Sequence, residues 1–496
     1  MKRLGFRSIA ATAVVACLTV PLFGRCDRQA IAVPRNLILI SIDTLRADRL
    51  GAYGYDLPIS PGLDGYAARG ALFRNTISSS SWTVPAHMTV FTGLEPQAHG
   101  LLEFPEAGRL GDDHVPLARL LRDNGFRTAA FVGGGFISPR HGFEIGFDRF
   151  ITRGRRFETM TEEAKRWVDS VPAEERFFLF FHGFNVHRPY RPPRPFSERF
   201  APGDARHPDR SIADRLYPLL EDLAVLYDHH DGDLATLRTR PSESELELLA
   251  SQYDGEVAYV DDLLTRFLDE LESRGRLEET LVVIISDHGD ELYEHGSVDH
   301  VHTLYDELIR VPWIMTGPGV PARVIDRQVG LIDVMPTLCE LLAVDVPTPV
   351  QGTSRAGELR SAPDRRSVDD GAADLAFSFT AFYGLPYRIG SVRSASWKLV
   401  LWQLDGMRAV DLDQLDFHHT MQMRTETEDF FELFDLRNDA GERRNVAADH
   451  PDVVRRLAAA LRTRTEESRK LARTPGVMPE PTPEYLEQLR SLGYLE

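Results

Sequence analysis

Apolar runs without polar alternation recur along the first two-thirds of the chain, and stretches of helical periodicity separate them. Residues 36–42, 177–181 and 281–285 are rich in β-branched, aromatic and leucine side chains, a pattern typical of strands that are buried on both faces. The longest helical pattern spans residues 245–271 and leads into the third run. Because buried strands alternate with helices, the pattern predicts an α/β fold with a mostly parallel central sheet flanked by helices.

Shorter apolar runs and helical patterns fill the rest of this region. Near residue 350 the alternation of buried strands and helices ends. Further strands are predicted at 71–77, 127–132 and 311–315, and further helices at 61–70, 117–125 and 160–170. After a polar connection, short strands are predicted at 377–382, 387–392, 397–402 and 430–435, and an amphipathic helix at 451–471. The change predicts a main domain at residues 34–350 and a smaller C-terminal α+β domain at 366–496.

The N-terminus has the pattern of a targeting segment. Lys2, Arg3 and Arg7 precede an apolar run at residues 9–23, which is short for a helix that spans a bilayer. This order predicts an export signal or a retained N-terminal membrane anchor within residues 1–30, and Cys26 leaves lipid modification open. The protein is therefore expected to be exported, either periplasmic or anchored to the membrane and facing the periplasm.

Composition narrows the classes of partner. The chain has 496 residues and a formal net charge of -18, which argues against general nucleic-acid binding because the phosphate backbone would be repelled. Local basic residues still allow a small anionic ester, a lipid or a glycan as substrate. The three cysteines show no metal-ligand spacing and form no disulfide framework.

Candidate metal ligands stand directly after the buried strands. Asp43 follows the run at 36–42, and Asp287 and His288 follow the run at 281–285. His187 lies a few residues beyond the strand predicted at 177–181. Since ligands bind at the carboxyl ends of strands in open α/β sheets, these side chains are expected to share one site.

A hydroxyl and several imidazoles extend this set. Thr83 opens a predicted helix, and Pro85 suits its first turn because a missing N–H costs nothing there. A hydroxyl at that place is suited to attack an anionic ester. Together with His300 and His302, the set offers carboxylate and imidazole ligands for zinc, or for a harder cation such as calcium, magnesium or manganese.

Several segments resemble the sulfatase family of the alkaline phosphatase superfamily. The resemblance starts with residues 36–48, residues 81–93 and Ser286-Asp287-His288-Gly289, and it continues at 303–312, 332–338, 432–436 and 442–445. It extends from about Arg35 to the end of the chain and implies an alkaline phosphatase-like fold with a divalent metal.

Departures from the family pattern lie at the reactive positions. Sulfatases carry Cys or Ser, any residue, Pro, a small residue and Arg, and the first residue is oxidised to formylglycine. Here the matching stretch runs from Thr83 to His87, and threonine cannot become formylglycine by the known route. Thr44 stands where a second Asp is usual, and His300 and His302 fall near the place of a Lys.

These departures resemble two sister groups, nucleotide pyrophosphatase/phosphodiesterases and lipid phosphoethanolamine transferases, which use a metal-bound Thr nucleophile. The resemblance implies a metal site formed by Asp43, Thr83, Asp287 and His288. It implies that His187, His300 and His302 bind a second metal, bind the anion or protonate the leaving group. For His87 two roles stay open, facing the substrate or supporting the helix.

The resemblance favours an exported metal-dependent hydrolase of sulfate or phosphate/phosphonate esters with Thr83 as nucleophile. The expected cofactor is zinc or calcium, with manganese as a further candidate. Two alternatives stay open: a phosphoethanolamine-type transferase that acts on a lipid or glycan, and a non-catalytic binding protein on a sulfatase scaffold.

Overall fold

The computed structural model describes residues 32–104, 108–154, 156–200, 241–360, 374–382, 387–404 and 430–491. The predicted export signal or anchor at residues 1–30 lies outside the described residues, as do residues 361–365 of the connection that separates the two predicted domains. The domain boundaries therefore stay predictions. None of the helices within the described ranges combines the length and apolar character that a membrane crossing requires.

Eight of the strands form the large central sheet. They are β1 (Asn36–Ile42), β2 (Ala71–Ile77), β4 (Phe126–Val132), β5 (Arg149–Thr152), β6 (Arg176–Gly183), β7 (Thr280–Ile285), β10 (Arg310–Thr316) and β11 (Arg323–Gly330). Their order is β11-β2-β10-β7-β1-β6-β4-β5. Neighbours are parallel except that β10 is antiparallel to both β2 and β7. The predicted fold class, a mostly parallel sheet flanked by helices, is confirmed.

A second sheet and one short hairpin complete the β structure. The second sheet contains β3 (Glu103–Phe104), β12 (Ala376–Phe382), β13 (Tyr387–Arg393), β14 (Trp397–Leu404) and β15 (Phe430–Asp435), and the hairpin contains β8 (Glu291–Leu292) and β9 (Val298–Asp299). The second sheet is antiparallel except where β3 joins β12. This small sheet agrees with the predicted α+β character of the C-terminal region, although β3 comes from the main part of the chain.

Helices cover both faces of the central sheet and also pack against the smaller one. In chain order, α1 to α12 are Pro61–Arg69, Thr83–Thr92, Pro96–His99, Leu117–Asp123, Thr161–Ser170, Phe196–Arg199, Glu243–Ser273, Asp306–Ile309, Val334–Leu341, Ala356–Arg360, Pro451–Leu471 and Pro483–Ser491. The long α7 begins with a capping box, in which the Ser242 hydroxyl accepts from the Glu245 amide. Such a cap satisfies N–H groups that the first turn leaves unpaired.

The central strands are apolar on both faces because two cores enclose them. Along β1, Leu37 and Leu39 belong to one core, whereas Ile38 and Ile40 belong to the other. Full burial of each such side chain contributes about 1.5–3 kcal/mol. Since β1 lies between β6 and β7 and all three are parallel, the residues that follow these strands meet at one edge.

Candidate metal centre and active site

Three ligand-type side chains meet at the carboxyl edge of the central sheet. Asp43 follows β1, and Asp287 and His288 follow β7. One ligand atom of each lies within 4.8 Å of the others, and all three residues are fully buried. We call these residues the first cluster. Two carboxylates and an imidazole at this spacing form a donor set suited to a divalent cation.

The first cluster leaves carboxylate oxygens without hydrogen bonds. Within the described residues, neither Oδ1 of Asp43 nor Oδ2 of Asp287 has a hydrogen-bond partner. Nδ1 of His87 and Nε2 of His288 each lie 3.3 Å from Asp287 Oδ2, but without hydrogen-bond geometry. A buried carboxylate oxygen without a partner is costly. A bound cation would remove that cost, so these residues fit a metal site.

The two carboxylates of the first cluster influence each other's ionisation. Burial, and then the charge of Asp287, raise the pKa of Asp43 well above its usual value. Burial also opposes ionisation of Asp287, but the imidazoles of His288 and His87 outweigh it and hold the pKa of Asp287 well below its usual value. Two buried carboxylates resist a shared negative charge, so a divalent cation would let both ionise.

Hydrogen bonds tie the two strand-end turns together. The amide of Thr44 donates to Asp287 Oδ1 at 3.3 Å, and the amide of Leu45 donates to the Ser286 hydroxyl at 2.9 Å. Thr44 has a positive φ of 57°, and its carbonyl accepts a hydrogen bond from the Tyr253 hydroxyl at 2.7 Å. Such backbone geometry persists only where the surroundings hold it, and here it fixes the first cluster.

Thr83 is the first residue of α2 and lies beside the first cluster. Its Oγ1 is 3.4 Å from Nε2 of His288, and the residue is buried. Trp82 before it is extended and Pro85 sits in the first turn, as the sequence pattern predicts. The structure thus brings Thr83, Asp43, Asp287 and His288 together.

Of the predicted imidazoles, His300 lies next to this cluster and His187 lies next to His300. The ring centroid of His300 is 4.5 Å from that of His288 and 5.0 Å from that of His187. Nδ1 of His300 lies 2.7 Å from Asp290 Oδ1 and 2.6 Å from Asp299 Oδ1, the latter without hydrogen-bond geometry. Asp290, Asp299 and His300 form a second group of ligand-type residues, which we call the second cluster.

His302 has protein partners at both ring nitrogens. Nε2 lies 2.9 Å from Glu291 Oε2, and Nδ1 lies 3.0 Å from the carbonyl oxygen of His300. Burial lowers the pKa of His302, but the bond to Glu291 outweighs it and the net shift is upward. These contacts hold the β8–β9 hairpin rather than direct the ring at the first cluster.

His87 packs behind the first cluster, and both its nitrogens are engaged. Nε2 lies 2.9 Å from the Ser41 hydroxyl, and Nδ1 lies 3.0 Å from the Thr83 carbonyl oxygen. Its ring centroid is 5.0 Å from that of His182. Of the two roles left open for His87, these contacts favour support of the helix start and of Asp287.

Three residues close to the site were not among the predicted ones. His182 lies at the end of β6, with Nε2 3.1 Å from Asp43 Oδ2. Burial, and then His87, lower the pKa of His182 well below its usual value, so the neutral ring can donate to Asp43. Its position at the end of an apolar strand could have identified it from the sequence. Asp290 follows Asp287 by three residues in the same strand-end turn. Asp299 had no such signal, because a hairpin of two-residue strands carries no periodicity.

The family model for sulfatases matches residues 35–344, which is more than half of the chain. The chain belongs to the sulfatase family, whose members hydrolyse sulfuric or phosphoric ester bonds. This agrees with the resemblance found in the sequence and sets aside the non-catalytic alternative.

The known relatives have low sequence identity to this chain but align over most of its length. The chain is 24% identical over 384 residues to an arylsulfatase of Clostridium perfringens, covering 64% of this chain and 77% of that protein. It is 24% identical over 452 residues to a Delta 4,5-hexuronate-2-O-sulfatase of Bacteroides thetaiotaomicron, covering 84% and 85%. The phosphonate monoester hydrolase of Agrobacterium radiobacter superimposes with a TM-score of 0.68 at 20% identity, covering 88% and 96%. The last likeness concerns the fold alone.

Proposed function

We propose that this sulfatase-family hydrolase cleaves phosphate or phosphonate esters in preference to sulfate esters, with Thr83 as the nucleophile. The observation that carries the proposal is the hydroxyl of Thr83, which opens α2 at 3.4 Å from His288. It occupies the position at which sulfatases carry the residue that becomes formylglycine. The chain thus combines a sulfatase scaffold with a different reactive group.

We propose that the first cluster, together with Thr83, holds one divalent cation. The open oxygens of Asp43 and Asp287 support this assignment. Zinc or calcium is the expected ion, with manganese as a further candidate, because carboxylate and imidazole ligands suit them. When bound, such a cation lowers the pKa of a nearby hydroxyl and draws charge from the ester oxygens.

Thr83 favours phosphorus over sulfur for a chemical reason. As its Oγ attacks phosphorus, the hydroxyl gives up its proton and an O–P bond forms; the P–O bond to the alcohol breaks, and the departing oxygen takes up one proton. Water then attacks phosphorus, the Thr83 O–P bond breaks, a proton of that water returns to Oγ, and the phosphate or phosphonate product leaves. A formylglycine hydrate expels sulfate by re-forming its aldehyde, and a threonine sulfate ester has no such route.

We propose that His187 and His300 bind the anionic ester or protonate its leaving group. Their ring centroids lie 5.0 Å apart, and the His300 ring also packs against the ring of His288. An imidazole there can bind an ester oxygen or donate a proton to the departing alcohol. The contacts of His302 and His87 support a positioning role for those two residues.

The substrate is proposed to be an anionic ester on a small molecule, lipid or glycan that is met outside the cytoplasm. The name of one relative, a hexuronate-2-O-sulfatase, supports a glycan among these classes. Basic residues followed by an apolar run within residues 1–30 support export. The transferase alternative shares the Thr nucleophile and would differ only in the acceptor that displaces it.

A substrate panel tests the proposal. The purified protein is assayed with aryl sulfates, phosphate monoesters, phosphate diesters and phosphonate monoesters, after chelation and after addition of zinc, calcium or manganese. At least one phosphorus ester should exceed the aryl sulfates in kcat/KM by about tenfold or more, and only with added metal. A kcat/KM for aryl sulfate far above every phosphorus ester would contradict the proposal.

A further inference from the structure

A hydroxyl of the second sheet reaches the segment that carries His300. Thr380 lies in β12 and is buried, and its Oγ1 donates a hydrogen bond to the carbonyl oxygen of Val301 at 2.9 Å. Val301 directly follows His300, the imidazole next to the first cluster. The second sheet therefore contacts the chain one residue from the candidate active site.

Val301 is also bonded to the segment that precedes the nucleophile. Its amide donates to the Ser81 carbonyl oxygen at 3.0 Å, and the Ser81 hydroxyl donates back to the Val301 carbonyl oxygen at 3.2 Å. Ser81 lies two residues before Thr83. Through Val301, Thr380 thus connects the His300 segment with the Thr83 segment.

The backbone around His300 needs such support. Asp299 and Val301, on either side of His300, have φ values of 85° and 81°. This left-handed region is unfavourable for residues with a β-carbon and most of all for β-branched ones such as valine. Backbone of this kind persists only where surrounding contacts hold it, and three hydrogen bonds converge on Val301.

Strand β12 runs beside the same segment over several residues. The amide of Phe379 donates to the Ser79 carbonyl oxygen at 2.8 Å, and the Ser378 hydroxyl donates to the Ser78 carbonyl oxygen at 2.6 Å. These bonds hold the chain that leads into Thr83. Of these three consecutive residues of β12, Thr380 is the one whose side chain bonds to Val301.

We infer that Thr380 is a positioning residue that sets His300 against Thr83, so that the second sheet takes part in catalysis. The inference rests on the proposed function, because it assigns His300 a role toward the ester or its leaving group. Thr380 itself acts through the Val301 backbone and contacts neither Thr83 nor the first cluster in the bonds described. The small C-terminal sheet thereby contributes to turnover without supplying a reacting group.

Two substitutions of Thr380 and one matched control test this inference. Thr380→Val keeps the shape and removes the donor, and it should lower kcat by about tenfold, the effect expected from one hydrogen bond. KM and bound metal should stay within about twofold, because no substrate or metal contact is removed. Thr380→Ser keeps the donor and should restore kcat to within about twofold.

Ser391 provides the control because it lies in the same sheet without the same contact. It is buried in β13, it pairs with Ser378 of β12, and its hydroxyl makes no hydrogen bond within the described residues. Ser391→Ala should leave kcat unchanged. Equal losses in Ser391→Ala and Thr380→Val, or no rescue by Thr380→Ser, would overturn the inference.

A crystal structure of Thr380→Val separates this inference from the proposed function. The His300 ring should move or become disordered relative to wild type while Thr83 and the first cluster keep their places. An unchanged His300 ring would overturn the positioning role, whatever the activity. If wild type cleaves no ester of the panel, the proposed function fails, and the position of His300 in the two crystal structures still decides the role of Thr380.

Discussion

Two buried clusters of this protein contain the same ligand types, two aspartates and a histidine, but they differ in what balances their charge. The second cluster has cationic and hydrogen-bonding partners of its own: Arg188 lies 2.5 Å from Asp299, and the Tyr190 hydroxyl donates to Asp290 at 2.6 Å. Burial opposes ionisation of Asp299, but Arg188 and then His300 hold its pKa well below the usual value.

The ionic partners of the first cluster are imidazoles rather than a guanidinium group. Within the described ranges, no arginine or lysine forms an ion pair with Asp43 or Asp287, and each carboxylate keeps an oxygen without a hydrogen bond. A buried charge requires a partner. The comparison teaches that residue type alone does not define a metal site. Arg188 supplies a positive charge to the second cluster, whereas no arginine or lysine of the described residues does so in the first, which therefore fits a cation.

The largest expected effect concerns the hydroxyl beside the first cluster. Thr83→Ala should reduce turnover by at least about 1,000-fold, because the attacking oxygen is lost. Initial rates on the best ester of the panel measure this, and circular dichroism checks the fold. Thr83→Ser should retain activity, since it keeps the hydroxyl. Undiminished turnover in Thr83→Ala would remove Thr83 from the mechanism.

A matched pair of substitutions separates the two clusters by metal content. Asp287→Asn should lose bound metal and reduce kcat/KM by on the order of 100-fold or more. Asp290→Asn should keep the metal, because Tyr190 and His300 are its partners. Elemental analysis should give one equivalent per chain in wild type. Two equivalents, or loss of metal in Asp290→Asn alone, would assign the cation to the second cluster.

The smallest expected effect is a pH-dependent loss of stability in the second cluster. Asp299→Asn should lower the free energy of unfolding at pH 7 by about 3 kcal/mol, because Arg188 loses its buried partner. The folded pKa of Asp299 lies below its usual value, so its contribution is full above about pH 5 and is lost as pH falls toward the folded pKa. Urea unfolding of wild type and variant between pH 3 and 7 measures the difference.

An exposed ion pair supplies the control for that measurement. Asp262 and Arg266 lie 2.6 Å apart on the surface of α7, where solvent screens their attraction. Asp262→Asn should change the free energy of unfolding by less than about 1 kcal/mol at every pH. A difference between wild type and Asp299→Asn that stays constant from pH 7 to pH 3 would contradict the ionised pair.

The strands that the hydrophobic pattern located are those at the centre of the sheet. β1, β6 and β7 are buried on both faces, so their sequences are apolar throughout and predict strands directly. The edge strands β5 and β11 are partly exposed and have mixed sequences, and they were not predicted. The short strands β3, β8 and β9 contain two residues each, too few for any period.

The ligand types of the first cluster and the hydroxyl of Thr83 are evident in the linear order of residues. Each ligand lies within three residues of the end of an apolar strand, and Thr83 opens a helix. Local chemistry and periodicity were therefore sufficient to name them. Which strands become neighbours depends on packing between distant segments. β1 pairs with β6 and β7, more than a hundred residues away along the chain, and this pairing sets the distances in the first cluster.

The charge balance of the second cluster and the support from Thr380 depend on tertiary structure alone. Asp290 lies directly before a hairpin without periodicity and Asp299 lies at its end. Their partners Tyr190 and Arg188 come from a distant loop. Thr380 of the second sheet reaches Val301 in a loop that follows β9. No local pattern encodes such contacts, because a hydrogen bond between segments depends on where both backbones lie after the cores have packed.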